Sequence, residues 1–344
     1  MIIAVPKETF PSETRVAATP ETVRHFIRMS LEICIETGAG TASGFTDNDY
    51  REAGAAVSDT RSIYQKAGIL LKIRAPQTTE IPLLQRGQII IADFSGASSL
   101  RPFAEKKTTC FALEQIPRIS RAQTMDILTS QSNLAGYKAV INAAAMLKKT
   151  MPLMMTAAGT LPPARVLILG AGVAGLQAIA TAKRLGAQVF ASDIRPETQE
   201  QINSLGARFV TAQDIPAQIA KTDILITTAL APGKPAPKLV SREMLAQMPR
   251  GGIIIDMASA SGGNVEGIED NRTINRNGVT LIGAGNLAAE LPDSASRMFA
   301  QNVYNFLNPW FSSETRGFNF DFADEIIAQT CVVHNGKIIN REKN

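Results

Sequence analysis

Short, branched apolar runs alternate along the chain with stretches in which apolar residues return every three or four positions. Runs of the first kind lie at 2–5, 31–36, 69–73, 88–92, 166–169, 189–191, 224–227, 253–256 and 280–282. Their length and their isoleucine and valine content predict buried strands. Between them, Thr19-Pro20-Glu21 opens a helix that runs to about residue 29, with Thr19 as N-cap and Pro20 in the first position. Residues 47–53, 121–149, 198–205 and 293–307 carry helical periodicity. In 121–149 the apolar stripe is Met125, Leu128, Ala135, Val140, Ala144 and Leu147, and one long helix there would lead from a first domain to a second. Residues 157–163 read as a linker. Strands alternating with helices imply parallel sheets covered on both faces. The expected fold is therefore α/β, with two Rossmann-like domains. Residues 1–130 with 308–344 form the first, and 131–307 the second.

The stretch from Arg165 to Arg195 carries the chemistry. An apolar run ends at Gly170-Ala-Gly172-Val-Ala-Gly175, helical sequence follows to Gly186, and a second run ends at Asp193. This is a βαβ unit with G-x-G-x-x-G spacing. Gly170 permits the tight turn, Gly172 a close approach of backbone to a pyrophosphate, and Gly175 tight packing of helix on strand. The N–H groups at the helix start face the phosphates. Asp193, about twenty residues further on, would accept hydrogen bonds from a ribose 2′-OH and repel a 2′-phosphate, which favours NAD(H) over NADP(H). Arg195 works against that preference. The bland alternative is a tight turn that binds nothing. The expected place for the cofactor is the cleft between the two domains.

Composition narrows the rest. A net charge of +4 on 344 residues, with scattered basic residues, marks no nucleic-acid surface. Cys34, Cys110 and Cys331 are odd in number and far apart, which fits reduced thiols in a cytoplasmic setting. The first seven residues read as a strand rather than a signal peptide, no run is long enough to span a bilayer, and no metal site is expected.

Three motifs together carry a family resemblance. They are Pro117-Arg118-Ile-Ser-Arg-Ala-Gln123-Thr-Met-Asp126-Ile-Leu-Thr129, the glycine motif, and Thr227-Thr-Ala-Leu-Ala-Pro-Gly-Lys-Pro-Ala-Pro-Lys238. The chain resembles the NAD(H)-binding component of proton-translocating NAD(P) transhydrogenases, within the alanine dehydrogenase/transhydrogenase superfamily. The resemblance implies that Arg118, Gln123 and Asp126 are catalytic. Arg118 and Asp126 would hold the nicotinamide and its carboxamide, and Gln123 would reach towards NADP(H) on a partner subunit. It implies cofactor contacts from Arg118, Ile119, Ser120, Arg121, Asp126 and Thr129, and from Gly170, Gly172, Val173, Gly175, Asp193, Ile194, Arg195 and Leu230. It further implies a homodimer, a hydride exchange, and NADP-binding and membrane-spanning partner subunits that hold the chain at the inner membrane. On spacing alone, Ser120 and Gln123 also fit a capping box.

Two departures from the family pattern carry expectations. Relatives have a long mobile loop between the strand at 208–210 and that at 224; here only residues 211–223 connect them, so looser NADH binding and faster release are expected. Where alanine dehydrogenases carry a catalytic histidine and aspartate, this chain has Asp93 and Ala260. Its only histidines are His25 and His334, so a proton-abstracting dehydrogenase is disfavoured. Lys72 and Arg15 match substrate-binding positions of alanine dehydrogenases, though Lys72, at a strand end, reads as an exposed charge. An alanine-like dehydrogenase and a non-catalytic NAD-binding module are the alternatives.

Overall fold

In the computed structural model, which describes residues 1–231 and 234–339, each branched apolar run forms a strand. In chain order the strands are β1 (Ile2–Val5), β2 (Glu32–Glu36), β3 (Ala56–Ser58), β4 (Ile69–Arg74), β5 (Ile89–Asp93), β6 (Thr109–Ala112), β7 (Met154–Thr156), β8 (Gly159–Leu161), β9 (Arg165–Leu169) and β10 (Gln188–Ser192). They continue as β11 (Arg208–Phe209), β12 (Ile224–Thr227), β13 (Ile253–Asp256), β14 (Thr273–Arg276), β15 (Val279–Gly283), β16 (Phe311–Ser312), β17 (Gly317–Phe318), β18 (Cys331–His334) and β19 (Lys337–Ile338). Met1–Gln131 and the chain from Leu291 onward make one unit; Ser132–Glu290 make the other.

The first unit is built on a sheet ordered β19-β18-β6-β5-β4-β1-β2-β3. From β6 to β3 all pairs are parallel, and β18 and β19 are antiparallel additions. Alternate residues feed opposite cores, as a side-chain period of two requires. Ile3, Val5, Leu71 and Ile73 pack on one face with Phe26, Phe299 and Phe306. Ala4, Leu70 and Ile90 pack on the other with Tyr64 and Phe103. The helix Pro20–Arg28 starts at a capping box between Thr19 and Thr22.

The second unit is a sheet ordered β11-β10-β9-β12-β13-β15-β14, parallel except at β14–β15. The order reverses beside β9, with β10 on one side and β12 on the other, which is where open α/β sheets bind ligands. Val166 and Ile168 point into one core, and Leu167 and Leu169 into the other.

Four features depart from the sequence reading. The helix Pro292–Leu307, expected with the second domain, packs in the first unit, because its Phe299, Val303, Phe306 and Leu307 join that core. Residues 157–163 are not a plain linker: Met154–Thr156 and Gly159–Leu161 pair as a hairpin. Periodicity does not mark it, because both strands are exposed throughout. The stretch 121–149 is a 3-10 segment, Ser120–Met125, followed by one helix, Ile127–Met146. Lys72 is not an exposed charge but fully buried within β4. Among the described residues, no helix is long and apolar enough to cross a membrane, and no cluster of three His, Cys, Asp or Glu could hold a metal ion. Cys34, Cys110 and Cys331 are buried and unbridged.

Candidate functional site

In the second unit the site grows from the turn between β9 and the helix Val173–Arg184, and its three glycines do different work. Gly170 has φ +102°, and a Cβ there would lie 2.5 Å from Thr228 Oγ1. A Cβ on Gly175 would lie 1.9 Å from the Gly170 carbonyl oxygen, so only glycine lets the helix approach the turn. A Cβ on Gly172 would meet nothing within 4 Å. Space therefore lies over the middle glycine, where a ligand backbone needs it. Gly172 is also the N-cap residue and brings no side-chain cap, so the first N–H groups of the helix keep their donors for a ligand.

Asp193 follows the end of β10. Its Oδ2 accepts from Ala171 N (2.6 Å) and from Arg195 Nη2 (3.0 Å); its Oδ1 accepts from Arg195 N (2.9 Å) and Arg195 Nε (3.0 Å). Burial alone would raise its pKa, but the Arg195 side chain and the two amides outweigh it and hold the carboxyl below its usual value. Around the turn three apolar side chains stand in solvent: Val173 at 38%, Leu230 at 62% and Ile194 at 95% exposure. All three follow carboxyl ends of central strands, so the exposed apolar surface is concentrated where the sheet offers a ligand site.

The Arg118–Thr129 segment belongs to the first unit. Ala122, Met125 and Ile127 are buried anchors in its core, and Asn302 and Asn305 donate to the Thr124 carbonyl at 2.8 and 2.9 Å. These anchors leave Arg118, Ser120 and Gln123 exposed, while Ile119 packs partly against the core. No capping bond forms at Ser120 and Gln123: the 3-10 segment starts at Ile119 without a side-chain cap. The cap lies one turn later, where Asp126 Oδ1 accepts from Thr129 N (2.9 Å) and Oδ2 from Thr129 Oγ1 (2.6 Å). Arg121, one of the expected cofactor contacts, is turned away to a 2.5 Å ion pair with Asp324.

The carboxyl ends of β4 to β6 hold a dense charged cluster. Lys72 bridges Glu8 (3.2 Å) and Glu80 (2.9 Å), with Tyr64 donating to Glu80 at 2.6 Å. Burial pulls the Lys72 pKa down, and the two carboxylates more than reverse this. Arg15 pairs with Glu13 (2.7 Å) and donates to Gln131, and Arg74 pairs with Asp93 (3.0 Å). Beside Asp93, Glu114 accepts from Phe94 N at 2.9 Å. Burial, then the charge on Asp93, pushes its pKa up to about 7. The histidines serve packing: His25 lies against Tyr304 and His334 against Phe322, with ring centroids 5.0 and 4.2 Å apart.

The connection between β11 and β12 is short and folded. It forms a 3-10 turn, Ala212–Asp214, and the helix Ile215–Ile219, whose Ile219 is fully buried. Sequence reasoning missed Thr228, Asp256 and Asn264. Asp256 and Asn264 are buried and satisfy the backbone of loops around the glycine turn; the Gly262-Gly263 pair before Asn264 was the available signal.

Comparison with known proteins matches this architecture along its length. A family model described as "Alanine dehydrogenase/PNT, N-terminal domain" matches residues 4–135, and one described as "Alanine dehydrogenase/PNT, C-terminal domain" matches 139–341. The first of the two pieces that make up the NAD(P) transhydrogenase alpha subunit of Rhodospirillum rubrum is 42% identical over 377 residues, covering 99% of this chain and 98% of that protein. That alignment is longer than the 344 residues of this chain, so the relative carries stretches without a counterpart here. The crystal structure of a transhydrogenase from Sinorhizobium meliloti superposes with a TM-score of 0.94 at 41% identity, covering 98% of this chain and all of that one. An alanine dehydrogenase of Methanococcus maripaludis is more distant, 32% identical over 83% of this chain and 81% of that protein. On the extent of both family matches and of these alignments, the chain belongs to the alanine dehydrogenase/PNT family.

Proposed function

We propose that this chain is the NAD(H)-binding component of a proton-translocating NAD(P) transhydrogenase, holding NADH while hydride passes to NADP+ carried by a partner subunit. The observation that carries this reading is the glycine turn, with open space over Gly172, an uncapped helix start, and a carboxylate at the end of the next strand. That arrangement fits the pyrophosphate and adenosine ribose of a dinucleotide. The exposed Val173, Ile194 and Leu230 offer apolar surface to an adenine. The identity to transhydrogenase alpha subunits, higher than that to an alanine dehydrogenase, supports the reaction.

When bound, the nicotinamide supplies the hydride itself, and the protein contributes alignment and exclusion of water. Arg118 and Asp126 orient the ring and its carboxamide. Asp126 is held by both the amide and the hydroxyl of Thr129, which limits its rotation. Gln123, exposed and anchored between the buried Ala122 and Met125, reaches towards the NADP(H) of the partner. Exchange between two nicotinamides moves no proton at the reacting carbons, so no general base is needed. The β7–β8 hairpin supports a homodimer. A two-stranded hairpin is marginal alone, and its exposed Met154, Met155 and Leu161 fit a second copy. Proton coupling belongs to a membrane-spanning partner, which would hold this chain at the cytoplasmic face of the inner membrane.

The test mixes the purified chain and NADH with an NADP+-loaded partner subunit and follows the appearance of NADPH. Transfer that requires both proteins is the expected result. NADH binding without transfer would leave a non-catalytic binding module, and failure to bind NADH would overturn the reading altogether.

A further inference from the structure

The loop after β12 borders the glycine turn: Thr228 Oγ1 donates to the Gly170 carbonyl at 3.1 Å, and Leu230 stands exposed two residues on. What sets the path of this loop is one buried side chain from elsewhere. Asn264 is fully buried. Its Oδ1 accepts from Ala229 N (3.0 Å) while its Nδ2 donates to Ala229 O (2.9 Å), so the side-chain amide pairs with Ala229 much as a neighbouring strand would. The second Nδ2 hydrogen goes to Pro237 O at 2.8 Å. One amide thus ties both ends of the segment that carries Leu230.

Asn264 is itself held in place. Asp256, at the end of β13 and fully buried, accepts from Asn264 N (2.7 Å) and Val265 N (3.0 Å) on Oδ2, and from Ala258 N (2.9 Å) on Oδ1. Gly262 and Gly263, with φ +95° and +75°, turn the chain so that these amides face the carboxylate. A Cβ on Gly263 would lie 2.2 Å from Ile268 Cγ2 and 2.8 Å from Asp256 Oδ2, so the turn admits no side chain there. The hydrogen-bond path therefore runs from β13 through Asp256 and Asn264 to the rim of the glycine turn.

We propose that Asn264 is a positioning residue for the adenosine half of the bound cofactor, acting through the Ala229–Pro237 loop and locked by Asp256. This rests on reading Gly170–Gly175 as the dinucleotide turn. Only an asparagine side chain meets the need: it must accept once and donate twice at this depth. Serine is too short, and leaves the Ala229 and Pro237 carbonyls and the Ala229 amide without their partner. The loss falls on loop placement, because the backbone bonds of residue 264 to Asp256 do not involve its side chain.

The test compares the parent chain with Asn264→Ser for NADH and for ADP-ribose, a probe with no nicotinamide. Both dissociation constants should rise about tenfold, the worth of one or two buried hydrogen bonds. Hydride exchange at saturating NADH should stay within about twofold of the parent, because ring alignment is untouched. Amide exchange should quicken at residues 229 and 239 and stay unchanged across 173–184. A lower melting temperature with both dissociation constants unchanged would make Asn264 merely structural and overturn the proposal. If Asn264→Ser does not fold, Asn264→Gln keeps the amide but displaces it by one methylene, and the same rise is expected; unchanged binding there would also overturn it. A parent chain that fails to bind NADH would refute the dinucleotide reading, a result distinct from a parent that binds and a variant that binds equally well.

Discussion

Asp193 meets a ligand with each of its oxygens already accepting two hydrogen bonds, three of the four from Arg195. A carboxylate has about four acceptor positions, so a ribose hydroxyl must displace the Arg195 side chain, which is half exposed and free to move aside. Arg195→Ala should therefore tighten NADH binding by a few-fold, the worth of a partly exposed ion pair. It should also widen the preference for NADH over NADPH by removing a phosphate partner, and fluorescence titration of both cofactors checks this. Weaker NADH binding would make the guanidinium a direct ligand contact instead. Glu114 offers a pH test. Its folded pKa, near 7, lies above that of an unfolded glutamate. The native state therefore holds the extra proton between about pH 4.5 and 7, and stability falls as pH rises through that window. Glu114→Gln keeps an oxygen for Phe94 N and removes the titration. Its melting temperature should gain on the parent's between pH 5 and pH 8, by an amount worth about 2 kcal/mol; a constant difference would mean that Glu114 titrates normally.

The β9–turn–helix element separates stability from binding glycine by glycine. Gly175→Ala forces a Cβ against the Gly170 carbonyl and should cost about 3 kcal/mol. Gly172 has φ −77° and open space, so Gly172→Ala should change stability by less than about 0.5 kcal/mol yet fill the volume a pyrophosphate needs. Calorimetry with NADH titration separates the two variants; equal NADH affinity in Gly172→Ala and the parent would mean the turn binds no phosphate. The Arg118–Thr129 segment makes the complementary case. Its buried anchors keep its shape, and Arg118 and Gln123 contribute nothing to the cap at Asp126. Arg118→Ala and Gln123→Asn should slow hydride exchange by about ten- to a hundredfold through misaligned rings, while NADH dissociation constants move far less. Parent rates in both variants would assign the segment a structural role.

The distribution of charge over the whole chain argues against chemistry on an amino acid. An amino-acid dehydrogenase needs cations for the substrate carboxylate and a base for its proton. Here Lys72 is fully buried between two glutamates, and Arg15 is paired with Glu13. Asp93 is paired with Arg74, Ala260 stands in a turn without an ionisable group, and both histidines pack against aromatic rings. The purified chain incubated with NAD+ and a panel of L-amino acids should produce no NADH, followed by absorbance. Steady NADH production with any of them would return the chain to the dehydrogenase side of its family.

Much of this was legible in local pattern. Nine strands, the glycine turn, the Thr19 cap and the carboxylate at 193 each depend on residues a few positions apart: branched runs, a left-handed Gly170, a hydroxyl before a proline. The roles that escaped pattern depend on partners far along the chain. Lys72 reads as a surface charge until Glu8 encloses it from one side and Glu80 from the other, and the helix Pro292–Leu307 has no owner until Phe299 and Phe306 meet strands from the start of the chain. Asn264 is one polar residue after two glycines until folding sets its amide against Ala229 and Pro237. Local sequence selects backbone conformation, because sterics and apolar periodicity act over a turn or a strand. Which buried polar groups find each other is settled by topology, since desolvation makes every such group require a partner that only the assembled sheets bring within reach.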